Sequence, residues 1–309
     1  MSAIIKKGIR NFPGIKIGHH NHKSNKSGLT VAIFDQSLIA ASVTLGGAPG
    51  LSETTLLEDG MTVSKIDAIL LTGGSVYGLD AAAGVRQFLQ ESNQGFKVGS
   101  KVAPIVPTAV IYDLDEKEPG YIFPDAATGY IAAKSANELQ GEKVGKIGAG
   151  VGAKVAKYLG NENGADGGIG ALTLTLEDDV QICVLLVVNA FGGLINRTDK
   201  KYVLPKGEAG GDLSFLESEF DGDVRFGSTI IGFIATNVKL SKSDAKRIAI
   251  MSMAGIARSV YPAFTRYDGD TLFAVSTGQK RYDLTKLGGW GAYLVEQAIL
   301  DTVGISKVH

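Results

Sequence analysis

The chain has 309 residues, 44% of them hydrophobic and 20% charged, with 41 glycines, a balance that excludes intrinsic disorder and describes a globular protein rich in tight turns. Its 31 basic and 32 acidic residues nearly cancel and form no basic stripe, so nucleic acid is not an expected partner. No apolar run nears the roughly 20 residues that span a bilayer, and residues 1–7 lack the apolar stretch of a secretory signal, so the expectation is a cytoplasmic protein without membrane association.

Along the chain, His19, His20 and His22 come first, in a Lys/Asn/Ser-rich stretch that reads as a solvated loop rather than a metal site. Short β-rich runs bounded by Gly and polar turns follow at 29–34, 38–44, 68–72, 102–112, 171–176, 180–189, 229–236 and 271–277. Between them, apolar residues recur at three- and four-residue spacing over 77–90, 126–139, 242–260 and 291–302, which predicts helices. The helix after Leu240 is the best delimited, because Ser241 can cap it and Asp244 places a carboxylate at its positive end. Several strands are apolar on both faces, and strands and helices share one continuous pattern, which favours a layered α/β architecture. Residues 196–225 read as a long exposed loop, with Lys200-Lys201, Gly207, Gly210-Gly211 and an acidic run over 217–223. That loop leads into Phe226-Gly227-Ser228-Thr229, after which Ile230-Ile231-Gly232-Phe233 enters the core. Taken alone, such a junction is a loop meeting a buried strand.

The single Cys183 lies inside Val180-Gln181-Ile182-Cys183-Val184-Leu185 and reads as a core thiol. Gly148, Gly150 and Gly152 between Lys146 and Lys154 invite comparison with phosphate-cradling loops. No Gly-Lys pair there is followed by Ser or Thr, and no full G-x-G-x-x-G occurs, so no nucleotide and no other cofactor is expected. The glycines of Gly46-Gly47-Ala48-Pro49-Gly50 and Thr72-Gly73-Gly74-Ser75 read as turns and close backbone packing, with Ser75 as a turn or cap residue.

These motifs also occur in a telling order. Gly46-Gly47-Ala48-Pro49-Gly50, Leu71-Thr72-Gly73-Gly74-Ser75-Val76-Tyr77-Gly78-Leu79-Asp80, Gly148-Ala149-Gly150, Gly167-Gly168-Ile169-Gly170, Val187-Val188-Asn189-Ala190, Ala235-Thr236-Asn237 and Asp268-Gly269-Asp270-Thr271 follow one another across residues 46–271. In this order they resemble the family of L-aminopeptidase/D-Ala-esterases, β-peptidyl aminopeptidases and nylon-oligomer hydrolases. The resemblance implies a four-layer αββα sandwich similar to N-terminal nucleophile hydrolases, made as a precursor that cuts itself to expose an N-terminal Ser or Thr. It further implies a small peptide or amide-oligomer substrate and a homo-oligomer, a tetramer of cleaved protomers.

Two hydroxyls compete for the cut. In the family the nucleophile lies six residues before the Ala of the Ala-Thr-Asn/Asp motif, and six before Ala235 is Thr229 rather than Ser228. The expectation is a single domain over 1–309, cleaved into 1–228 and 229–309. Two positions depart from the family pattern: Ser228 stands where Asn or Gly usually precedes the cut, and Ile230 replaces a frequent second Thr. Asp166 likewise stands where a basic residue often precedes Gly-Gly-Ile-Gly. A freed threonine suits this chemistry, because its α-amino group, with a pKa of about 7.7–8.0, can take the hydroxyl proton near neutral pH without a histidine.

By the same resemblance, Asn189 and the Ala190 N–H are candidates for oxyanion donors. Asp268 and Asp270 are candidates for holding the new ammonium or sharing a proton. Lys157 and Tyr112 fall near family positions around the nucleophile. Two alternatives stay open: an ornithine-acetyltransferase-like transacylase, whose usual Thr-Met-Leu context differs from Thr229-Ile230-Ile231, and a non-catalytic protein that keeps the fold.

Overall fold

Successive side chains of a strand point to opposite faces, so a strand that is apolar throughout must be covered on both sides. The computed structural model describes residues 3–10, 12–22, 26–114, 123–208, 211, 214–217 and 227–308. Ten strands form its large sheet: β1 (Ile4–Lys7), β2 (Ile15–Asn21), β3 (Gly28–Thr44), β4 (Leu51–Ser52), β5 (Lys65–Thr72), β6 (Thr108–Val110), β7 (Gly168–Thr175), β8 (Gln181–Asn189), β9 (Thr229–Val238) and β10 (Thr271–Lys280). The order is β1-β7-β8-β9-β10-β3-β5-β6-β4, with β2 also paired to β3. The β9–β10 and β5–β6 pairs are parallel, which makes the sheet mixed.

The 17-residue β3 joins the two halves of this sheet. Its first part pairs with β2 and β5 and its last part with β10, and the register on β5 shifts between Ile33 and Leu38. The halves therefore lie face to face. Cys183, Leu185 and Val187 of β8 and Ile231, Phe233 and Ala235 of β9 share a core with Ile69 and Leu71 of β5. Their neighbours Val184, Leu186 and Ile234 point the other way, into a second core with α3 (Lys242–Ser259) and α4 (Leu284–Asp301). Leu29, Val31, Ala68 and Leu70 form a third core with α1 (Ala81–Glu91) and α2 (Ala126–Lys134). Three cores separate four layers, and the αββα architecture expected from the resemblance holds. Phe34, Phe233 and Phe273 are fully buried, each contributing about 2–3 kcal/mol of apolar burial.

The N-terminus of α3 forms as its sequence suggests: the Ser241 hydroxyl accepts the Asp244 N–H at 3.1 Å, and the Asp244 carboxylate accepts the Ser241 N–H at 3.0 Å. Elsewhere boundaries move. The runs 29–34 and 38–44 are one strand, crossing the exposed Asp35 and Gln36. The 102–112 run holds only Lys101–Ala103 and Thr108–Val110, and the 77–90 helix begins as a tighter turn over Ser75–Asp80. The 126–139 helix stops at Lys134.

Helix α4 starts at Leu284, seven residues early, because Gly288, Gly289 and Gly291 interrupt its apolar period. Close crossing with α3 explains one of those glycines, since a Cβ on Gly291 would lie 2.3 Å from the Ser252 hydroxyl. The histidines need correction: His19 and His20 lie on β2, not in a solvated loop. His19 bonds Thr30 Oγ1 and the Gln140 carbonyl, and burial lowers its pKa to about 4. Within 196–225, Gly193–Asn196 and Lys201–Val203 pair as strands and Ser214–Glu217 is a short helix. Residues 209–210, 212–213 and 218–225 of that expected loop lie outside the described residues.

Candidate active site

The sheet order β8-β9-β10 brings three distant segments to one edge. Antiparallel register sets Asn189, the last residue of β8, opposite Thr229, the first of β9. Ser228 bridges in parallel to Asp268, just before β10. Ser228, Thr229, Asn189, Asp268 and Asp270 are each no more than 5% exposed, so the candidate centre is a buried polar cluster at the margin of the core.

Thr229 stands on the bond it is expected to cut. Its hydroxyl donates to the carbonyl oxygen of Ser228. The Gly269 N–H donates to that same carbonyl at 3.1 Å and to Thr229 Oγ1 at 3.2 Å. A donor is thus already aimed where negative charge develops if the hydroxyl attacks. A Cβ on Gly269 would fall 2.9 Å from the Ala48 carbonyl oxygen and 3.1 Å from Thr229 Oγ1, so the position needs glycine to bring its N–H this close.

Asn189 sits at the junction of the other groups. Its Nδ2 donates to the Gly227 carbonyl at 3.1 Å and to the Tyr112 carbonyl at 3.2 Å. Its Oδ1 accepts the Lys154 N–H and the Lys157 ammonium, both at 2.9 Å, which fixes the amide orientation, since Oδ1 faces two donors. Lys157 is buried rather than a surface lysine, and its Nζ also donates to the Gly227 carbonyl at 2.6 Å. Burial lowers its pKa to about 7, a pull that the charges of Asp268 and Asp113 oppose and that of Lys154 assists. Tyr112 lies just past β6; its ring packs where a Gly227 side chain would be, 2.7 Å from an added Cβ.

The two aspartates are anchored by backbone. Asp268 accepts the Thr265 N–H at 2.9 Å, the Thr265 hydroxyl at 2.5 Å and the Phe191 N–H at 3.4 Å. Asp270 accepts the Ile230 N–H at 2.6 Å and the Phe264 N–H at 3.3 Å. Burial raises both carboxyls, Asp270 to about 8, with the charge of Asp268 adding to the effect. Such a rise is what burial, together with a neighbouring like charge at Asp270, produces. The Gly46-Gly47-Ala48 turn clamps their segment: Ala48 N–H donates to the Asp268 carbonyl at 2.7 Å, and Leu45 N–H to the Asp270 carbonyl at 3.0 Å.

All the residues singled out in the sequence, Thr229, Ser228, Asn189, Asp268, Asp270, Lys157 and Tyr112, therefore meet in one place. The sequence reading missed the Gly269 N–H, which no side chain announces, together with Thr265 and Asp113. Asp166 lies apart from this set, exposed and paired with Lys146 at 3.1 Å.

A family model, peptidase family S58, matches residues 8–307. The chain is 34% identical over 303 residues to an uncharacterised aminopeptidase of Mycobacterium leprae, covering 90% of this chain and 80% of that one. It is 32% identical over 277 residues to a 6-aminohexanoate-oligomer endohydrolase of Agromyces, covering 87% and 74%. Among solved structures, its fold resembles an L-aminopeptidase D-Ala-esterase/amidase of Ochrobactrum anthropi, described as a variant of the Ntn hydrolase fold. There the TM-score is 0.70 at 17% identity, over 99% of this chain and 88% of that one. A Burkholderia β-aminopeptidase gives 0.67 at 18% identity, over 97% and 87%.

Proposed function

The chain belongs to peptidase family S58 and is an amide hydrolase, and we propose that Thr229 is its nucleophile, released as a new N-terminus when the Ser228–Thr229 bond breaks. The observation that carries this reading is the Thr229 hydroxyl seated on the Ser228 carbonyl, whose oxygen already receives the Gly269 N–H at 3.1 Å.

In the first step Thr229 Oγ1 bonds to the Ser228 carbonyl carbon while the Gly269 N–H holds the oxyanion. The bond from that carbon to the Thr229 nitrogen then breaks, and the hydroxyl proton ends on the departing nitrogen. Water hydrolyses the resulting ester, leaving a carboxylate on Ser228 and a free amine on Thr229. In the cut enzyme that amine serves as the base for its own hydroxyl. Asn189 Nδ2 and Lys157 Nζ, which hold the Gly227 carbonyl in the uncut chain, are then available to a substrate acyl group. Asp268, joined by Asp270 as it ionises toward about pH 8, supplies the negative environment for the new amine when it is protonated.

The substrate class is a small peptide or an amide oligomer, in keeping with the names of the aminopeptidase and endohydrolase relatives. One domain, cleaved into 1–228 and 229–309, works as a cytoplasmic homo-oligomer. A buried Lys, two buried Asp and an Asn held around one peptide bond are costly to maintain without chemistry, which weighs against the non-catalytic alternative. Purified chain incubated at neutral pH resolves into two bands on a denaturing gel; one persistent full-length band contradicts the proposal. Aminoacyl and β-aminoacyl p-nitroanilides assayed beside 6-aminohexanoate oligomers then identify the amide, and acetyl transfer without hydrolysis selects a transacylase instead.

A further inference from the structure

Two glycine motifs, one that reads in the sequence as a turn and one that resembles a phosphate-cradling loop without matching it, converge on a single carboxyl. Asp113 follows Tyr112, and its Oδ1 accepts the Gly74 N–H at 2.7 Å and the Ser27 hydroxyl at 3.2 Å. A Cβ on Gly73 would stand 2.2 Å from Asp113 Oδ2, and one on Gly152 would stand 2.4 Å from it. Thr72-Gly73-Gly74-Ser75 and the glycines between Lys146 and Lys154 thus make the space in which this carboxyl lies. Asp113 as a residue is only part-buried, but Oδ2 is enclosed and has no hydrogen-bond partner among the described residues. An enclosed carboxylate oxygen without a donor costs stability, and an asparagine or a hydrophobic residue would avoid part of that cost. Burial raises the pKa of this carboxyl to about 6, and the hydrogen bonds from Gly74 and Ser27 and the charge of Lys157 across the site oppose that rise.

We propose that Asp113 is a positioning residue of the hydrolytic centre: its carboxyl pins the chain beyond β6 so that the Tyr112 carbonyl holds the Asn189 amide, and its negative charge steadies the Lys157 ammonium. The inference rests on the assignment of Thr229 and its partners above. The mechanical path has short links. Asp113 is tied to Gly74 and Ser27, the adjacent Tyr112 carbonyl accepts Asn189 Nδ2 at 3.2 Å, and Asn189 Oδ1 accepts Lys157 Nζ at 2.9 Å. Both donors at the end of that path, Asn189 Nδ2 and Lys157 Nζ, also hold the Gly227 carbonyl, one residue before Ser228. Slack at Asp113 therefore reaches the scissile segment. The charged groups acting on Lys157 are Asp268 and Asp113, which favour its protonated form, and Lys154, which opposes it.

The test follows self-cleavage of freshly synthesised chain from a cell-free translation at a series of pH values, so that no substrate need be known. Asp113→Asn preserves the side-chain shape and an oxygen for Gly74 and Ser27 but removes the charge. Loss of fixed geometry slows cleavage by about tenfold. The inflection expected from Lys157, which burial lowers to about 7, moves to lower pH, because a charge favouring its ammonium is gone. Ser27→Ala, which removes one tie and leaves the charge, slows cleavage by a smaller factor without moving the inflection. Wild-type rate and an unmoved inflection in a folded Asp113→Asn chain overturn the inference. If that chain does not fold, a wild-type rate in Ser27→Ala overturns it instead. Thr229→Ala runs in parallel: if it still cleaves, the nucleophile assignment has failed; if it is inert while Asp113→Asn is normal, only the role of Asp113 has failed.

Discussion

Strands β8 and β9 run antiparallel through eight matched residue pairs, and each end of this ladder carries a threonine and an asparagine. At one end, Thr236 donates to the Gln181 carbonyl at 2.8 Å, and Asn237 accepts the Gln181 N–H and donates to the Asp179 carbonyl, each at 2.8 Å. That end is a clasp: every partner is neutral backbone of the strand pair or its turn. At the other end, Asn189 holds a buried ammonium and Thr229 sits on the carbonyl of its own preceding residue, with two buried carboxyls beside it. The same residue types in the same ladder differ only in their partners. In the proposed reading, the hydroxyl and amide do chemistry at this end because buried charges and a peptide bond in the attack position surround them.

The sharpest way to break this comparison is to remove each threonine in turn. Thr229→Ala abolishes self-cleavage and lowers amide turnover by at least about a thousandfold. Thr236→Ala leaves turnover within about twofold while costing about 1 kcal/mol of stability for the lost hydroxyl bonds. Equal inactivity of the two, measured by initial rates, ends the distinction between a reactive end and a clasp. The asparagines follow at smaller scale. Asn189→Ala reduces kcat by about 100- to 1000-fold if its amide holds the oxyanion, whereas Asn237→Ala shows its effect in the denaturant midpoint, at about 1 kcal/mol.

The charged groups sharpen the comparison through pH. Asp270 titrates at about 8 in the folded chain, well above an ordinary carboxyl, so the native state holds its proton more tightly than the unfolded state does. Its favourable contribution is complete below about pH 4 and is lost as pH rises toward its folded value. Lys157, lowered to about 7, behaves oppositely: its unfavourable contribution is constant below about that pH and is relieved above it. Between about pH 4 and 7 Asp270 therefore contributes a fall in stability with rising pH and Lys157 contributes none, while His19, lowered to about 4 by burial, contributes a rise. In an uncut Thr229→Ala background, adding Asp270→Asn removes that falling component, so the melting temperature of the double variant gains relative to Thr229→Ala alone as pH rises across this window. Parallel curves with and without that second substitution contradict the burial argument.

What the sequence revealed follows from the range of the forces involved. Strands β7 to β10 and helix α3 are legible because β-rich runs bounded by turn residues and helix capping are local signals, and Asn189, Thr229, Asp268 and Asp270 lie at or beside the ends of those strands. The Ala235-Thr236-Asn237 motif located Thr229 by spacing although it belongs to the clasp and touches no reacting group. His19 misled, because a Lys/Asn/Ser-rich neighbourhood hides a strand whose burial comes from residues more than 100 positions away, such as Gln140. The Gly269 N–H was invisible for a different reason: a backbone donor leaves no mark on composition. Asp113 lies in the charged run Asp113-Leu114-Asp115-Glu116-Lys117, where no motif sets it apart, and the three-dimensional approach of Gly73 and Gly152 marks it out.

The central claim is that the chain is cut before Thr229, and N-terminal sequencing of the small fragment tests it most directly. The account predicts a start at Thr-Ile-Ile-Gly; a start at Ser228, or a chain that stays whole after prolonged incubation at neutral pH, contradicts it.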